Sequence, residues 1–292
     1  MTLFNDFDAE LTRQGKSAIT RRGYLADLND YASWIEQTYG EPLDPTQITA
    51  DDVRAYLAYL ATVRRARPST TNRRRAALRA FCRWAVERGL LKTDPTAETR
   101  GIRQTKSPPK ALERAELNRI LRRAQQWGNP LHIAIVTTLA NTGLRVSELC
   151  DVAVGDVEIK PRSGKLLVRL GKGEKSREIP LNGDVRRALG DYLAVRRQPA
   201  DGDHLFVSQR GAAITPAGVW RIVNKYGRHA GIKGVSPHVL RHTFATLLLR
   251  EGDVDLVTVS DLLGHENINT TARYTRSTEA DRQAAVEKLA LP

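Results

Sequence analysis

A chain of 292 residues with 41% hydrophobic side chains is long enough to fill two separate cores, which excludes disorder throughout. Its 46 Lys and Arg against 33 Asp and Glu leave a formal charge of +13, a surface field that attracts polyanions, with nucleic acid the simplest partner. No apolar run approaches the roughly 20 residues that span a bilayer, and the opening MTLFNDFDAE lacks the basic start and apolar stretch of a signal peptide. The expected setting is therefore the cytoplasm, with no membrane partner.

Residues 20 to 38 place Tyr24, Leu25, Leu28, Tyr31, Trp34 and Ile35 at helical intervals, the stripe of an amphipathic helix. A second helix is expected from Thr49, where Asp52 forms a variant of the capping box, to near Arg64, burying Val53, Tyr56, Leu57, Leu60 and Val63. A third runs from about Thr70, behind Pro68 and Ser69, to Gly89 and buries Leu78, Phe81, Cys82 and Trp84. Between Arg64 and Arg88 stand nine arginines and one acid, Glu87, interleaved with apolar positions. With so few acids beside them these arginines would repel one another on a merely solvated face, which favours a helix laid against DNA backbone. Arg73, Arg74, Arg75, Arg79 and Arg83 are its candidate contacts.

The stretch TRGIRQTKSPP, residues 99–109, has two prolines and no apolar period and reads as an interdomain linker between domains 1–98 and 110–292. From Leu112 amphipathic helices resume, and LHIAIVTTL, residues 131–139, has the character of a buried helix. KLLVRLGKGEKSREIPL, residues 165–181, offers two extended runs joined by a Gly- and Lys-rich turn, a β-hairpin. Thr215 before Pro216 and Ser236 before Pro237 each set a cap residue ahead of a proline at the first helical position. The second domain is thus mostly helical with a small antiparallel sheet. Cys82 and Cys150 stand far apart in apolar patterns and read as buried thiols without a disulfide, and no spacing of His, Cys or acids marks a metal site.

Three polar clusters carry chemistry. In SPHVLRHTFAT, His238 and Arg241 are three apart and share a helix face, while His242 is expected to turn away. LLGHENINTTARYTR sets His265 nine residues before Tyr274. NTGLRVSEL puts Arg145 after a Thr and Gly that suit a helix entrance, a place that favours phosphate, and Glu148 three residues on either orients Arg145 or is a surface acid. His132, His204 and His229 have no motif around them.

The order Arg145, a hairpin lysine, His238-x-x-Arg241, His265, Tyr274 resembles that of the tyrosine recombinase or phage integrase family, most nearly its Xer-type members, over almost the whole chain. The segments TRRGYLADLNDYASW and STTNRRRAALRAFCRWAVERGLL resemble the family's core-binding domain. The resemblance implies a mainly α protein. An amino-terminal SAM-like DNA-binding domain of four or five helices and a mixed α/β catalytic domain would form a C-shaped clamp on DNA. It implies Tyr274 as nucleophile.

The residue types suit that reaction. A phosphodiester attacked by a phenolate spreads charge over its equatorial oxygens, and the guanidinium forks of Arg145 and Arg241 can bind them without losing their own charge. Tyrosine titrates near pH 10, so attack at neutral pH needs a proton acceptor, for which His238 is the first candidate. By resemblance, His265 donates a hydrogen bond to the phosphate; the plain alternative is a helix-capping histidine. Lys172 is the expected acid for the departing 5′ oxygen because the family pattern favours the lysine after the first Gly of the turn, with Lys175 as rival. No phosphate-cradling GxxxxGK[ST] loop occurs, and a 3′-phosphotyrosyl bond keeps the energy for rejoining, so no cofactor is expected.

After Tyr274 come TRSTEADRQAAVEKLALP, whose Ala284, Val286, Leu289 and Leu291 form an apolar stripe. By resemblance such a tail docks on a neighbouring protomer, in a homo- or hetero-tetramer that holds two duplexes with paired inverted half-sites and exchanges strands through a Holliday junction. An amino-terminal domain that begins almost at once is expected to leave no room for the arm-binding domain of larger phage integrases, which favours a simple, Xer-like recombinase. Chromosome dimer resolution, cointegrate resolution and integration all remain open. Two other classes fit less well. A catalytically silent DNA-binding accessory protein would have lost a site residue, and a monomeric type IB topoisomerase would lack the Xer-like tail and amino-terminal domain.

Overall fold

Four helices build the amino-terminal part of the chain, and each is set by an apolar stripe and a recognisable end. Leu3, Phe4, Phe7 and Leu11 line α1 (Thr2–Arg13), an amphipathic turn pattern at the very start of the sequence. Helix α2 (Ala18–Tyr39) begins on Ser17, whose hydroxyl accepts from the Thr20 amide, and ends on Gly40 at φ 78°, a left-handed cap that glycine takes without strain. It buries Leu28, Tyr31, Trp34 and Ile35 as expected, and with them one acid, Asp27. Helix α3 (Ala50–Thr62) starts with the capping box foreseen: Asp52 N donates to Thr49 Oγ1 at 3.2 Å and Thr49 N donates to Asp52 Oδ2 at 3.0 Å. Val63, expected on the buried stripe, is 67% exposed, because the helix stops at Thr62 and Val63 falls at its cap. Helix α4 (Pro68–Glu87) takes Pro68 into its first turn and buries Leu78, Phe81, Cys82 and Trp84.

The structure, a computed structural model, describes residues 2–103, 111–127, 129–169, 176–196, 199–252, 254–265, 267 and 269–272. The chain divides into two compact units, Met1–Lys106 and Ser107–Pro292. In the first, Phe81 meets Phe4 and Phe7 edge to face with ring centroids 5.3 and 5.4 Å apart, while Tyr31 and Tyr56 meet at 5.0 Å, so the core is largely aromatic. The start of the expected linker is fastened to α4: Asn72 exchanges two hydrogen bonds with the Ile102 backbone, and Arg75 donates to the Thr99 carbonyl at 2.7 Å.

The second unit comprises α5 (Arg114–Gln126), α6 (Pro130–Thr142), α7 (Val146–Asp151), β1 (Val157–Ile159), β2 (Gly164–Val168) and β3 (Arg177–Pro180). It continues with α8 (Gly183–Val195), α9 (Pro216–His229), α10 (Pro237–Arg250), α11 (Leu256–Leu263) and α12 (Asn269–Ala272). Helix α6 contains the apolar stretch LHIAIVTTL and is buried from Ala134 to Ala140, with α5, α8, α9 and α10 packed around it. The expected hairpin is β2 and β3, antiparallel with Leu166 opposite Ile179 and Val168 opposite Arg177, and β1 adds a third strand on the other edge of β2. Thr215 and Ser236 cap α9 and α10, accepting from the Gly218 and Val239 amides ahead of Pro216 and Pro237. Cys82 and Cys150 are free and buried, and burial pushes their thiols up to about 12 and about 11. Among the described residues no helix is long and apolar enough to cross a membrane.

Candidate active site

Three stretches far apart in sequence converge at one place in the second unit. Gly143 closes α6 at φ 63°, where a Cβ would lie 2.5 Å from the Phe244 ring, so the chain turns there in a way that only glycine accommodates. Thr142 and Gly143 thus end one helix rather than open the next. Arg145 itself is the residue before α7, and its amide donates to Glu148 Oε2 at 2.7 Å. Its side chain donates to Glu148 Oε1 at 2.7 Å and to the Gly264 carbonyl at 3.1 Å.

Arg241, on α10, is only 4% exposed. It donates to the Gly143 carbonyl at 2.6 Å, to the Leu263 carbonyl at 2.8 Å and to His265 Nε2 at 2.9 Å. A guanidinium only donates, so His265 accepts at Nε2, carries its proton on Nδ1 and donates from there to Thr271 Oγ1 at 2.7 Å. Arg145, Glu148, Arg241 and His265 therefore form one bonded cluster, with Glu148 Oε2 also 3.9 Å from Arg241 Nη1.

Sequence reasoning missed Arg177, the first residue of β3. It donates to both oxygens of Glu148, at 3.0 and 2.8 Å, and from Nε to the Leu262 carbonyl at 3.0 Å. The available signal was its place on the strand leaving the Gly- and Lys-rich turn, but a lone arginine on a strand carries no motif. Burial would raise the Glu148 carboxyl, yet hydrogen bonds from Arg177 and from the Arg145 backbone overcome it and hold the group below its ordinary range, so Glu148 is an anion at neutral pH.

His238 sits exposed in the first turn of α10, three residues before Arg241. His242, expected to face away, lies one helical turn on and shares its face: their Nε2 atoms are 2.7 Å apart. One ring must accept and the other donate, so the proton-accepting capacity of His238 at Nε2 is tied to the tautomer of His242. Lys172, Lys175, Tyr274 and the apolar tail lie outside the described residues. Among the described residues no group of His, Cys or acids is arranged to hold a metal ion.

On α4 the arginines do have acidic partners, which come from elsewhere in the unit. Arg73 pairs with the buried Asp27, and Arg74 pairs with Asp30 at 2.6 Å, an acid that also takes Arg64 at 2.7 Å and the Tyr56 hydroxyl at 2.6 Å. The Arg74 side chain is only 16% exposed, whereas those of Arg73 and Arg83 are 51% and 58% exposed. Three guanidiniums against two carboxylates leave this patch positive.

Residues 110–281 match the Phage integrase family, a match that runs through Arg145, Arg241, His265 and Tyr274. The chain belongs to the phage integrase family. Residues 3–91 of this recombinase match that family's N-terminal SAM-like domain. It is 34% identical over 284 residues to the tyrosine recombinase XerC of Neisseria meningitidis serogroup C / serotype 2a, covering 94% of this chain and 90% of the relative. It is 36% identical over 305 residues to that of Mycobacterium sp. strain JLS, covering 100% and 99%. The fold is similar to that of the XerH site-specific recombinase in a pre-cleavage complex with its difH substrate, with a TM-score of 0.72 and 22% identity over 96% of this chain and 84% of the other. The recombinase is thus a Xer-like site-specific tyrosine recombinase, and the matches favour neither a silent accessory protein nor another recombination role over it.

Proposed function

We propose that the recombinase cuts double-stranded DNA with Tyr274, holding the cut strand as a 3′-phosphotyrosyl intermediate and exchanging strands through a Holliday junction. The observation that carries this reading is the cluster in which Arg145 and Arg241 lie against one carboxylate, Glu148, and Arg241 also binds His265. Two guanidiniums there offer donors to the oxygens that gain charge, and Glu148 holds Arg145 in place. His238 takes the phenol proton, Lys172 protonates the 5′ oxygen, with Lys175 as its rival, and His265 donates to the phosphate. For that last role His265 needs a proton on Nε2, the nitrogen that accepts from Arg241 in this arrangement.

Residues 1–98 then serve as the core-binding domain, joined through 99–109 to the catalytic domain 110–292. Arg73, Arg79 and Arg83 contact DNA phosphates, while Arg74, spent on Asp30, and Arg75, held on Thr99, support them. A DNA partner is supported by the neighbours, which include a recombinase bound to a difH substrate and a lambda integrase dimer bound to a core site. In this reading the active assembly is a tetramer on two duplexes with paired inverted half-sites, its tails docked on neighbouring protomers. Its place is the cytoplasm, on the nucleoid.

The reading is tested with a nicked suicide half-site and the variants Arg145→Ala and Arg241→Lys. Both are expected to bind the half-site but to form the covalent adduct at least about a hundredfold more slowly, the loss typical when a transition-state donor is removed. Adduct formation at the wild-type rate by both variants contradicts it.

A further inference from the structure

Arg177 touches no atom of the reaction in the scheme above, yet every face of its guanidinium is used. Nη1 and Nη2 bind the two oxygens of Glu148 side by side and Nε binds the Leu262 carbonyl, with the side chain 10% exposed. The same two Glu148 oxygens take the side chain and the amide of Arg145. Leu262 lies in the last turn of α11, which the left-handed Gly264 closes just before His265, and the Gly264 carbonyl accepts from Arg145. At Gly264, φ is 64° and a Cβ would lie 2.6 Å from Arg177 Nη1, so the turn closes directly over the guanidinium.

We propose that Arg177 is a positioning residue for DNA cleavage, acting through Glu148 on Arg145 and through Leu262 on the turn that carries His265. The inference rests on the cleavage reading of this cluster. Among the described residues Glu148 is one carboxylate shared by three guanidiniums, those of Arg145, Arg177 and Arg241, so where it points sets how those arginines are held. With Arg177 in place, half of Glu148's hydrogen-bonding capacity is committed to the strand. Without it the carboxylate is free to turn fully onto Arg145 and Arg241 and withdraw them from the phosphate. A lysine keeps the charge but is a point donor, unable to hold both carboxylate oxygens and the Leu262 carbonyl in one plane.

The test uses the full chain, a nicked suicide half-site at saturating concentration and single-turnover adduct formation. Arg177→Lys is expected to slow the adduct about 10- to 100-fold, the loss expected for charge-assisted hydrogen bonds removed from a site, with half-site affinity within about threefold of wild type. In an Arg145→Lys background the same change is expected to cost less than about threefold more, because both act on one contact. The paired change Glu148→Gln with Arg177→Met removes both charges of this ion pair, leaves the buried Arg241 held by the Gly143 and Leu263 carbonyls, and is expected to fold and to cleave no faster than Arg177→Lys.

Wild-type cleavage by Arg177→Lys or by the paired variant overturns the proposal. So do losses of cleavage, binding and melting temperature in step, and penalties that multiply in the Arg145→Lys background. If the wild-type chain itself forms no adduct, the cleavage reading fails and takes this proposal with it; if it does, only the role of Arg177 is at stake.

Discussion

The single carboxylate of Glu148 is the residue on which the cluster's stability turns. Glu148→Gln leaves Arg177 buried without its counter-ion, a loss of about 3–5 kcal/mol in urea unfolding at neutral pH. Its folded carboxyl lies below the ordinary 4.5, so its contribution is present above that value and is lost as pH falls through the lowered one. The stability gap between wild type and Glu148→Gln should therefore be flat from neutral pH down to about 5 and close at more acid pH; a gap unchanged into strong acid contradicts the assignment. Gly264→Ala should cost about 1–3 kcal/mol in the same assay, because it combines a left-handed backbone with a methyl against a pinned Arg177. At this scale the meeting of Arg145, Arg241 and His265 was legible because their motifs are dense. Arg177 and Asp27 were not: each acts by pairing with a residue remote in sequence, and no local pattern records that.

Helices with strong stripes and caps were legible almost to their ends. The capping box of Thr49 and Asp52 is a case, and Thr49→Ala should lower stability by about 1 kcal/mol; no change in thermal unfolding would show that the box is idle. Helix α1, ahead of the first helix expected from the sequence, was missed along with the shortest pieces. Strand β1 spans three residues and α7 six, too few for a period to show, and the Thr142–Gly143 pair reads equally well as a start or a stop until Phe244 is seen against Gly143. The acids that answer the α4 arginines lie elsewhere, Asp27 and Asp30 on α2 and Asp94 beyond α4, so a charge count confined to residues 64–88 overstated the repulsion.

For the whole molecule, a mainly helical chain with a small antiparallel sheet was readable from stripe and turn patterns. If α4 lies along phosphates, half-site affinity should fall steeply with salt, and Arg83→Ala should reduce the slope of log K against log salt by about one. A slope unchanged by the variant removes Arg83 from the interface. Deleting everything after Thr278 should spare half-site binding and abolish strand exchange; full recombination by the truncated chain contradicts tail docking. The central claim is most directly tested by incubating wild type and Tyr274→Phe with a nicked suicide substrate and resolving the products in boiling detergent. Wild type should give a covalent protein–DNA adduct and Tyr274→Phe none; an adduct that persists in the variant contradicts Tyr274 as the nucleophile.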